Sequence, residues 1–381
     1  FILKIELKIF NFFRSHVLMI SQLVWKKKLS KSDPIYSFCI NPDNNEIIAA
    51  CSNDVLFLNL ESGEILDRKR YHRSSIYSIR LSFDRTYFAS SSGDGMVVVW
   101  QTKDHVSIIN FGSSSAIRFL LWSPTEEAII AISNKDYHIW HSTQARTQCI
   151  QIKDHTLSIE NGAFSTDGLK YALCFSDCTI KIYQFANQKE IQSFSFPSPL
   201  TIIKFIKIDD DECFITVDID KYVSIFRISD KTLIRKNELS FEALQVVDFQ
   251  IEDSKYFLFS GISNKISIFT ENLMFLDNIH CKEKWIWDFQ NCKNENILLC
   301  GRNGYIEKRT FCFPSSAASN SNFIIYIGNL NRFKLTNLLN GETFISLNFP
   351  NIILSISISY HHFLIMFRNS IYVYLYDFQE K

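Results

Sequence analysis

Apolar residues recur at every second position over short runs along most of this chain, and polar turn residues separate the runs. The stretches DVLFLNL, GMVVVWQ, DYHIWHS, TIKIYQF, YVSIFRI and KISIFTE follow this pattern, and GYIEKRT continues the series. Alternation of this kind marks half-buried β-strands rather than helices. Ahead of each run lies a loop and a second strand-like run, as in SFDRTYFAS and STDGLKYALCF, and ahead of that a third, as in SIYSIRL. The predicted elements are therefore short antiparallel strands, four to a unit.

The units repeat. Leu58, Trp100, Trp140, Tyr183, Phe226, Phe269 and Arg309 hold one place in the seven runs, at spacings of 42, 40, 43, 43, 43 and 40 residues. Five or six residues before each stand Ser52, Asp94, Asn134, Asp177, Asp220, Asn264 and Asn303. All but the first are Asp or Asn, whose side chains bond nearby backbone amides and tolerate the tight turns that join antiparallel strands. Four strands per unit at this period, with an acidic turn and a closing aromatic, resembles the WD40 repeat of β-propellers. His72 in RKRYHRSSIYSI stands where that family has the histidine of its Gly-His step, with Tyr71 in place of the glycine. The resemblance implies that His72, Ser90, Asp94 and Trp100 form the family's structural hydrogen-bond network. It implies structural turn roles for Asn134, Asp177, Asp220, Asn264 and Asn303, and packing roles for Trp140, Tyr183, Phe226 and Phe269.

The fold class expected is all-β: a seven-bladed WD40 propeller over residues 19–312, followed by a partial second propeller. The run SQLVWKKKL, residues 21–29, can supply the outer strand of the last blade. Residues 1–18 are interrupted by Lys4, Glu6, Lys8 and Arg14 and precede Met19. They are read as a non-native or disordered leader. Residues 313–322, containing SSAASNSN, read as a linker, and 323–381 as the truncated start of a second propeller with a turn at Asn340-Gly341.

Composition narrows the function classes. The chain is 46% hydrophobic and 14% aromatic, enough for a substantial core. Its 40 basic and 40 acidic residues cancel, so nothing points to nucleic-acid binding, which rests on neutralising phosphates. The ten cysteines are scattered, and neither Cys174/Cys178 nor Cys292/Cys300 completes a metal-ligand spacing. They read as buried thiols of a reducing compartment. No stretch has the length and apolarity of a membrane span, so direct membrane insertion is not expected.

No phosphate-binding loop is present, and GRNGY at 301–305 reads as a hairpin turn. His361 and His362 are adjacent, so on a strand they face opposite sides and cannot share a metal. Asp209, Asp210, Asp211 and Glu212 read as a solvated loop, and Lys26, Lys27 and Lys28 as an exposed edge. Trp285 and Trp287 alternate, placing one in the core and one toward a neighbouring blade, with a ligand platform as the second reading. No catalytic, cofactor or metal residue is assigned, no cofactor is expected, and an enzyme is not expected.

The order of blade-specific stretches is similar to the N-terminal propeller of the intraflagellar transport protein 122 family, whose members are complex A subunits. The stretches carrying the likeness are SNKDYHIWHS in the third unit, SIFTENLMFLDNI in the sixth and KEKWIWDFQ opening the seventh. ISISYHHFLIMFRNSIYVYLYD resembles the opening of that family's second propeller. The resemblance implies a non-catalytic scaffold acting in retrograde intraciliary transport, ciliary cargo entry and cilium assembly. Its partners would be other complex A subunits and ciliary cargo proteins, met through blade rims and loops such as 207–213 and 230–238. Its location would be the cilium or flagellum, the basal body and the cytoplasm. The alternative is a coatomer-like coat or sorting propeller, which needs acidic and aromatic residues converging on one face to read basic cargo tails. A hydrolase would need acidic residues or histidines lining the channel, and a ubiquitin-ligase adaptor a recruiting element.

Overall fold

Alternating apolar runs joined by two- to five-residue turns leave the chain one way to bury its apolar faces: short antiparallel sheets stacked face to face. The computed structural model describes residues 3–7, 21–31, 33–134, 136–142, 148–151, 157–208, 211–251, 254–292, 296–311, 317–319, 323–329, 331–337, 343–358, 362–367 and 370–375. Among these residues every regular element is a strand, and the strands form four-stranded sheets.

The first blade comprises Phe38–Asn41, Glu46–Cys51, Asp54–Asn59 and Ile65–Arg70, ordered as they occur. The second comprises Ile76–Leu81, Tyr87–Ser92, Met96–Gln101 and Ser107–Gly112. The innermost strands of the next blades are Ile117–Trp122, Ile159–Phe164, Leu200–Ile208, Ala243–Ile251 and Ile286–Cys292. Each innermost strand touches the next in chain order, and Ile286–Cys292 touches Phe38–Asn41, which returns the circle to its start. This is the β-propeller architecture. Its closing sheet takes its outer strand from Ser21–Lys28, paired with Tyr305–Phe311 through Leu23 opposite Arg309 and Lys26 opposite Glu307.

The core lies between sheets. On the second and third strands of four blades an aromatic pair sits directly across the ladder: Phe88 with Trp100, Tyr171 with Tyr183, Phe214 with Phe226 and Phe257 with Phe269. In the first three pairs the rings stack, with centroids 5.7, 5.3 and 5.7 Å apart. Cross-strand aromatic contacts stabilise a sheet by roughly 0.2–1 kcal/mol each. They also explain the repeated aromatic, which packs across the ladder against a second ring.

Two stretches expected to lie outside the sheets carry strands. Leu3–Leu7, within the stretch expected to stand outside the fold, is a strand paired antiparallel with Ile371–Leu375, while residues 8–20 lie outside the described residues. Ala317–Ser319, within the expected linker, pairs with Phe323–Asn329. After the ring come two more sheets: Ala317–Ser319 to Thr343–Asn348, and Ser355–Ile358 to Ile371–Leu375 completed by Leu3–Leu7. They share a core that includes Phe333, Ile353 and Phe363, each fully buried. Ile352 packs into the core of the sixth and seventh blades, and Tyr256 donates a hydrogen bond to Asn331 at 3.3 Å. The turn Asn340-Gly341 lies outside the described residues.

Candidate functional site

In the second blade four side chains converge from three elements. His72 precedes the inner strand, Ser90 is on the second strand, Asp94 is in the turn and Trp100 is on the third strand. Ser90 Oγ lies 2.8 Å from His72 Nε2 and accepts from Trp100 Nε1 at 3.0 Å. His72 Nδ1 lies 3.3 Å from Asp94 Oδ2, and that carboxylate also accepts from the amides of Arg73 at 2.8 Å and Met96 at 2.9 Å. Burial pushes the imidazole pKa below its ordinary value, against the pull of Asp94. Burial also works to raise the Asp94 carboxyl, but the two amides and His72 hold it below the usual carboxylate range. Gly95 adopts a left-handed φ of 78°, and an added Cβ there would lie 2.5 Å from the Ser113 carbonyl oxygen. Only glycine fits that place without a shift.

The other blades vary this theme. The place of Ser90 is taken by Ala131, Leu173, Thr216 and Phe259 in the four blades that follow, as the pairing register shows. Asp177 accepts from the amide of Thr179 at 3.0 Å, and Asp220 accepts from the Ser198 hydroxyl. Asn303 donates to Glu283 at 3.0 Å. In the third blade the carboxylate reached by Ser113, at 3.0 Å, is Asp136, while Asn134 offers its carbonyl to the Ile159 amide. In the sixth, Ser263 accepts from the Lys265 amide at 3.1 Å, and Asn264 contributes its carbonyl to Cys281. The carboxylate and hydroxyl at these two turns stand beside the residues that spacing selects. Trp140 and Phe269 are buried, and Tyr183 and Phe226 half-buried.

The seventh blade replaces the aromatic-and-histidine arrangement by ions. Lys26 of the closing strand reaches Glu283 at 2.8 Å and the fully buried Glu307 at 2.6 Å. Arg309, buried where the repeat has an aromatic, donates to Glu307 at 3.1 Å. Lys26 is therefore a ring-closing contact rather than an exposed edge residue. Sequence reasoning misses it because the partner lies 257 residues away.

A polar belt runs along the innermost strands. Lys204 pairs with Asp248, Gln245 donates to Asp288 at 3.2 Å, and Arg80 and Ser37 donate to the same buried carboxylate at 3.1 and 3.0 Å. Burial raises the Asp288 pKa against the pull of Arg80. Each Asp288 oxygen is occupied by a donor from another blade, so this acid is a structural tie and does not present itself as a base. Among the described residues no group of three or more His, Cys, Asp or Glu side chains could hold a metal ion.

Above the belt lies a row of aromatic rings. Trp285 and Trp287 meet edge to face at 5.7 Å, Trp287 meets Tyr36 at 5.3 Å, and Tyr36 meets Tyr77 at 5.4 Å. All four are half-buried, and Trp287 packs against the core between the seventh and first blades. The guanidinium of Arg302 sits 4.5 Å from the centre of the Trp285 ring.

Other expected features fall elsewhere. Asp211 and Glu212 lie on a strand and pair with Arg227 and Lys170, so they are not a free loop; Asp209 and Asp210 lie outside the described residues. Leu233–Glu238, expected within a projecting loop, is the outer strand of the fifth blade. His362 is exposed on its strand, and His361 lies outside the described residues. Cys39, Cys51, Cys174, Cys213, Cys281, Cys292 and Cys300 are buried free thiols, and Cys178 is a half-buried one. Burial pushes Cys281 and Cys292 up to about 12, which leaves them unreactive. Among the described residues no helix is long and apolar enough to cross a membrane.

The family model described as the IFT122 first beta-propeller matches residues 34–308. The Intraflagellar transport protein 122 homolog of Xenopus tropicalis is 23% identical over 283 residues, covering 72% of this chain and 23% of the relative. That of Mus musculus is 20% identical over 284 residues, covering 73% of this chain and 23% of the relative. That of Danio rerio is 20% identical over 274 residues, covering 70% and 22%. The matched region thus spans under a quarter of the length of these relatives.

Proposed function

Because the chain belongs to the IFT122 first beta-propeller family, we propose that it acts as a non-catalytic scaffold of intraflagellar transport complex A. Residues 34–308, the part that matches the family, cover the propeller ring apart from its closing strand Ser21–Lys28 and the end of Tyr305–Phe311. That coincidence carries the reading. The acids a propeller hydrolase would need in its channel are tied to Arg80, Ser37 and Lys204. The basic-tail reader among the alternatives is disfavoured at the aromatic row, where a guanidinium rather than a carboxylate lies on the ring. In this reading the chain takes part in retrograde intraciliary transport, cargo entry and cilium assembly. Its partners are other complex A subunits and ciliary cargo proteins, without nucleic acid, a cofactor or membrane insertion. It resides in the cilium or flagellum and its basal body, with a pool in the cytoplasm. The ring would be a seven-bladed WD40 propeller held by the His72, Ser90, Asp94 and Trp100 network, and the two following sheets the opening of a second propeller.

Live imaging of the fluorescently tagged chain in ciliated cells tests this. Movement along the axoneme, including tip-to-base runs, is expected. Uniform cytoplasmic signal with no ciliary tracks, from protein shown to be folded, would overturn it.

A further inference from the structure

The rings of Trp285, Trp287, Tyr36 and Tyr77 join three consecutive blades: the seventh, the first and the second. The backbone shows that the segments carrying them share one face. The Arg302 amide bonds the Trp285 carbonyl at 3.2 Å, the Ile35 amide bonds the Gly301 carbonyl at 3.2 Å, and the Ile76 amide bonds the Ser52 carbonyl at 2.8 Å. The segments preceding the inner strands and the tight turns therefore alternate around this sector. Between them the four aromatic rings are only partly buried, an arrangement a closed core does not leave behind.

Charge completes the picture. Lys31, Arg73, Lys282, Lys284 and Arg302 are exposed in the same segments and turns. Of the acids there, Asp94 is held by His72 and two backbone amides and Glu283 by Lys26 and Asn303, and the exposed Asp33, bonded to Ser30, leaves the five cations in excess. A chain with no net charge thus concentrates cations around an aromatic row on one sector of its ring. Arg302 over Trp285 shows the two features already in contact.

We propose that this sector is a docking site for an extended acidic peptide segment of a partner protein, with apolar or proline side chains seated between the rings. Carboxylates would meet the lysines and arginines at the rim, where charge sets orientation and capture rate. The partly buried tryptophans and tyrosines would supply the anchors, the residue types that dominate such interfaces. The ring geometry favours a peptide over single-stranded nucleic acid. Successive interplanar angles of 70°, 62° and 70° form an edge-to-face zigzag, whereas stacked bases need open parallel ring faces. The inference does not depend on which assembly the chain joins.

The test uses the full chain and a phage-displayed library of random twelve-residue peptides. Selected peptides are then synthesised and titrated by fluorescence anisotropy, with the oligonucleotide dT12 in parallel. Selection of peptides rich in Asp and Glu with at least one aromatic, proline or aliphatic residue is expected. Lys282→Glu/Lys284→Glu alters only exposed side chains and is expected to retain the thermal transition while weakening those peptides about tenfold or more, as is Trp285→Ala. Affinity should fall as salt rises. Three results would overturn the proposal: no enrichment or enrichment of basic peptides; equal binding by the folded charge-reversed chain; or tighter binding of dT12 than of any peptide.

Discussion

Arg80 and Asp288 stand 208 residues apart in the chain and 3.1 Å apart in the fold. The first is on the inner strand of the second blade and the second on that of the seventh, so this contact spans the first blade and ties the start of the ring to its end. Asp288 is fully engaged while Arg80 is 34% exposed, which makes the pair asymmetric. Arg80→Ala strands a buried carboxylate and is expected to cost roughly 2–4 kcal/mol, less than a wholly buried pair because of solvent screening. The double change Arg80→Ala/Asp288→Ala should be milder than Arg80→Ala alone, since the stranded charge is gone. Urea denaturation of the three variants measures this; a double variant as unstable as the sum of its singles would contradict it.

Ser90 bridges two buried rings at once, accepting from Trp100 Nε1 and lying 2.8 Å from His72 Nε2. Ser90→Ala should destabilise by about 1–3 kcal/mol because both ring nitrogens lose their hydrogen-bond partner in the core. Asp94→Ala should also lower the melting temperature. Thermal unfolding followed by circular dichroism reads both effects, and an unchanged transition in either variant would show that the contact contributes nothing.

The same network sets a pH dependence. Burial keeps the His72 pKa below its ordinary 6.5, so the folded chain takes up this proton less readily than the unfolded chain. Stability is then fully present above about 6.5 and is lost as pH falls below it, because the unfolded state binds the extra proton. His138, also buried and lowered, adds a contribution of the same sign. Denaturation midpoints between about pH 5 and 7.5 should rise with pH. His72→Asn should flatten part of that slope; an unaltered slope would remove His72 from the account.

Turn backbones offer a test in the stabilising direction. Cys178 and Lys221 occupy left-handed turn positions at φ 64° and 70°, equivalent to Gly95 at 78°. Lys221→Gly relieves the strain of a β-carbon there and should stabilise by about 0.5–1 kcal/mol, net of the added freedom of the unfolded chain. Gly95→Ala should destabilise by more than that. Chemical denaturation decides it; loss of stability in Lys221→Gly would contradict the reading of the turn.

Ring closure can be weakened directly. Lys26→Ala leaves Glu283 and Glu307 facing each other in the closing sheet and is expected to lower stability by roughly 1–3 kcal/mol. Lys26→Arg should preserve most of it. Equal loss in both variants would mean that packing of the strand, not its charge, closes the ring.

The repeat is legible in the sequence because its signals are local. Strand alternation, turn Asp or Asn and a closing aromatic all fall within about ten residues, the range over which backbone geometry fixes side-chain placement. Local spacing fails where a turn changes length: the third is one residue shorter than the second, which moves the working carboxylate from the place of Asn134 to Asp136. In the sixth turn the six-residue offset of the other units falls on Ser263, which accepts from the Lys265 amide, and Asn264 lies one residue off it. Contacts that join distant segments carry no local signal at all. Lys26 with Glu307, Arg80 with Asp288 and the pairing of Leu3–Leu7 with Ile371–Leu375 depend on how blades are arranged around the circle. The aromatic row belongs to the same class, since Tyr36 and Trp287 meet only after closure.

The central claim, that this propeller is a docking scaffold of complex A, is tested most directly by affinity purification of the tagged full chain from ciliated cells, followed by mass spectrometry. Recovery of other complex A subunits in amounts comparable to the tagged chain is expected. Recovery of coatomer or sorting components in their place, or of no stable partner by demonstrably folded protein, would contradict it.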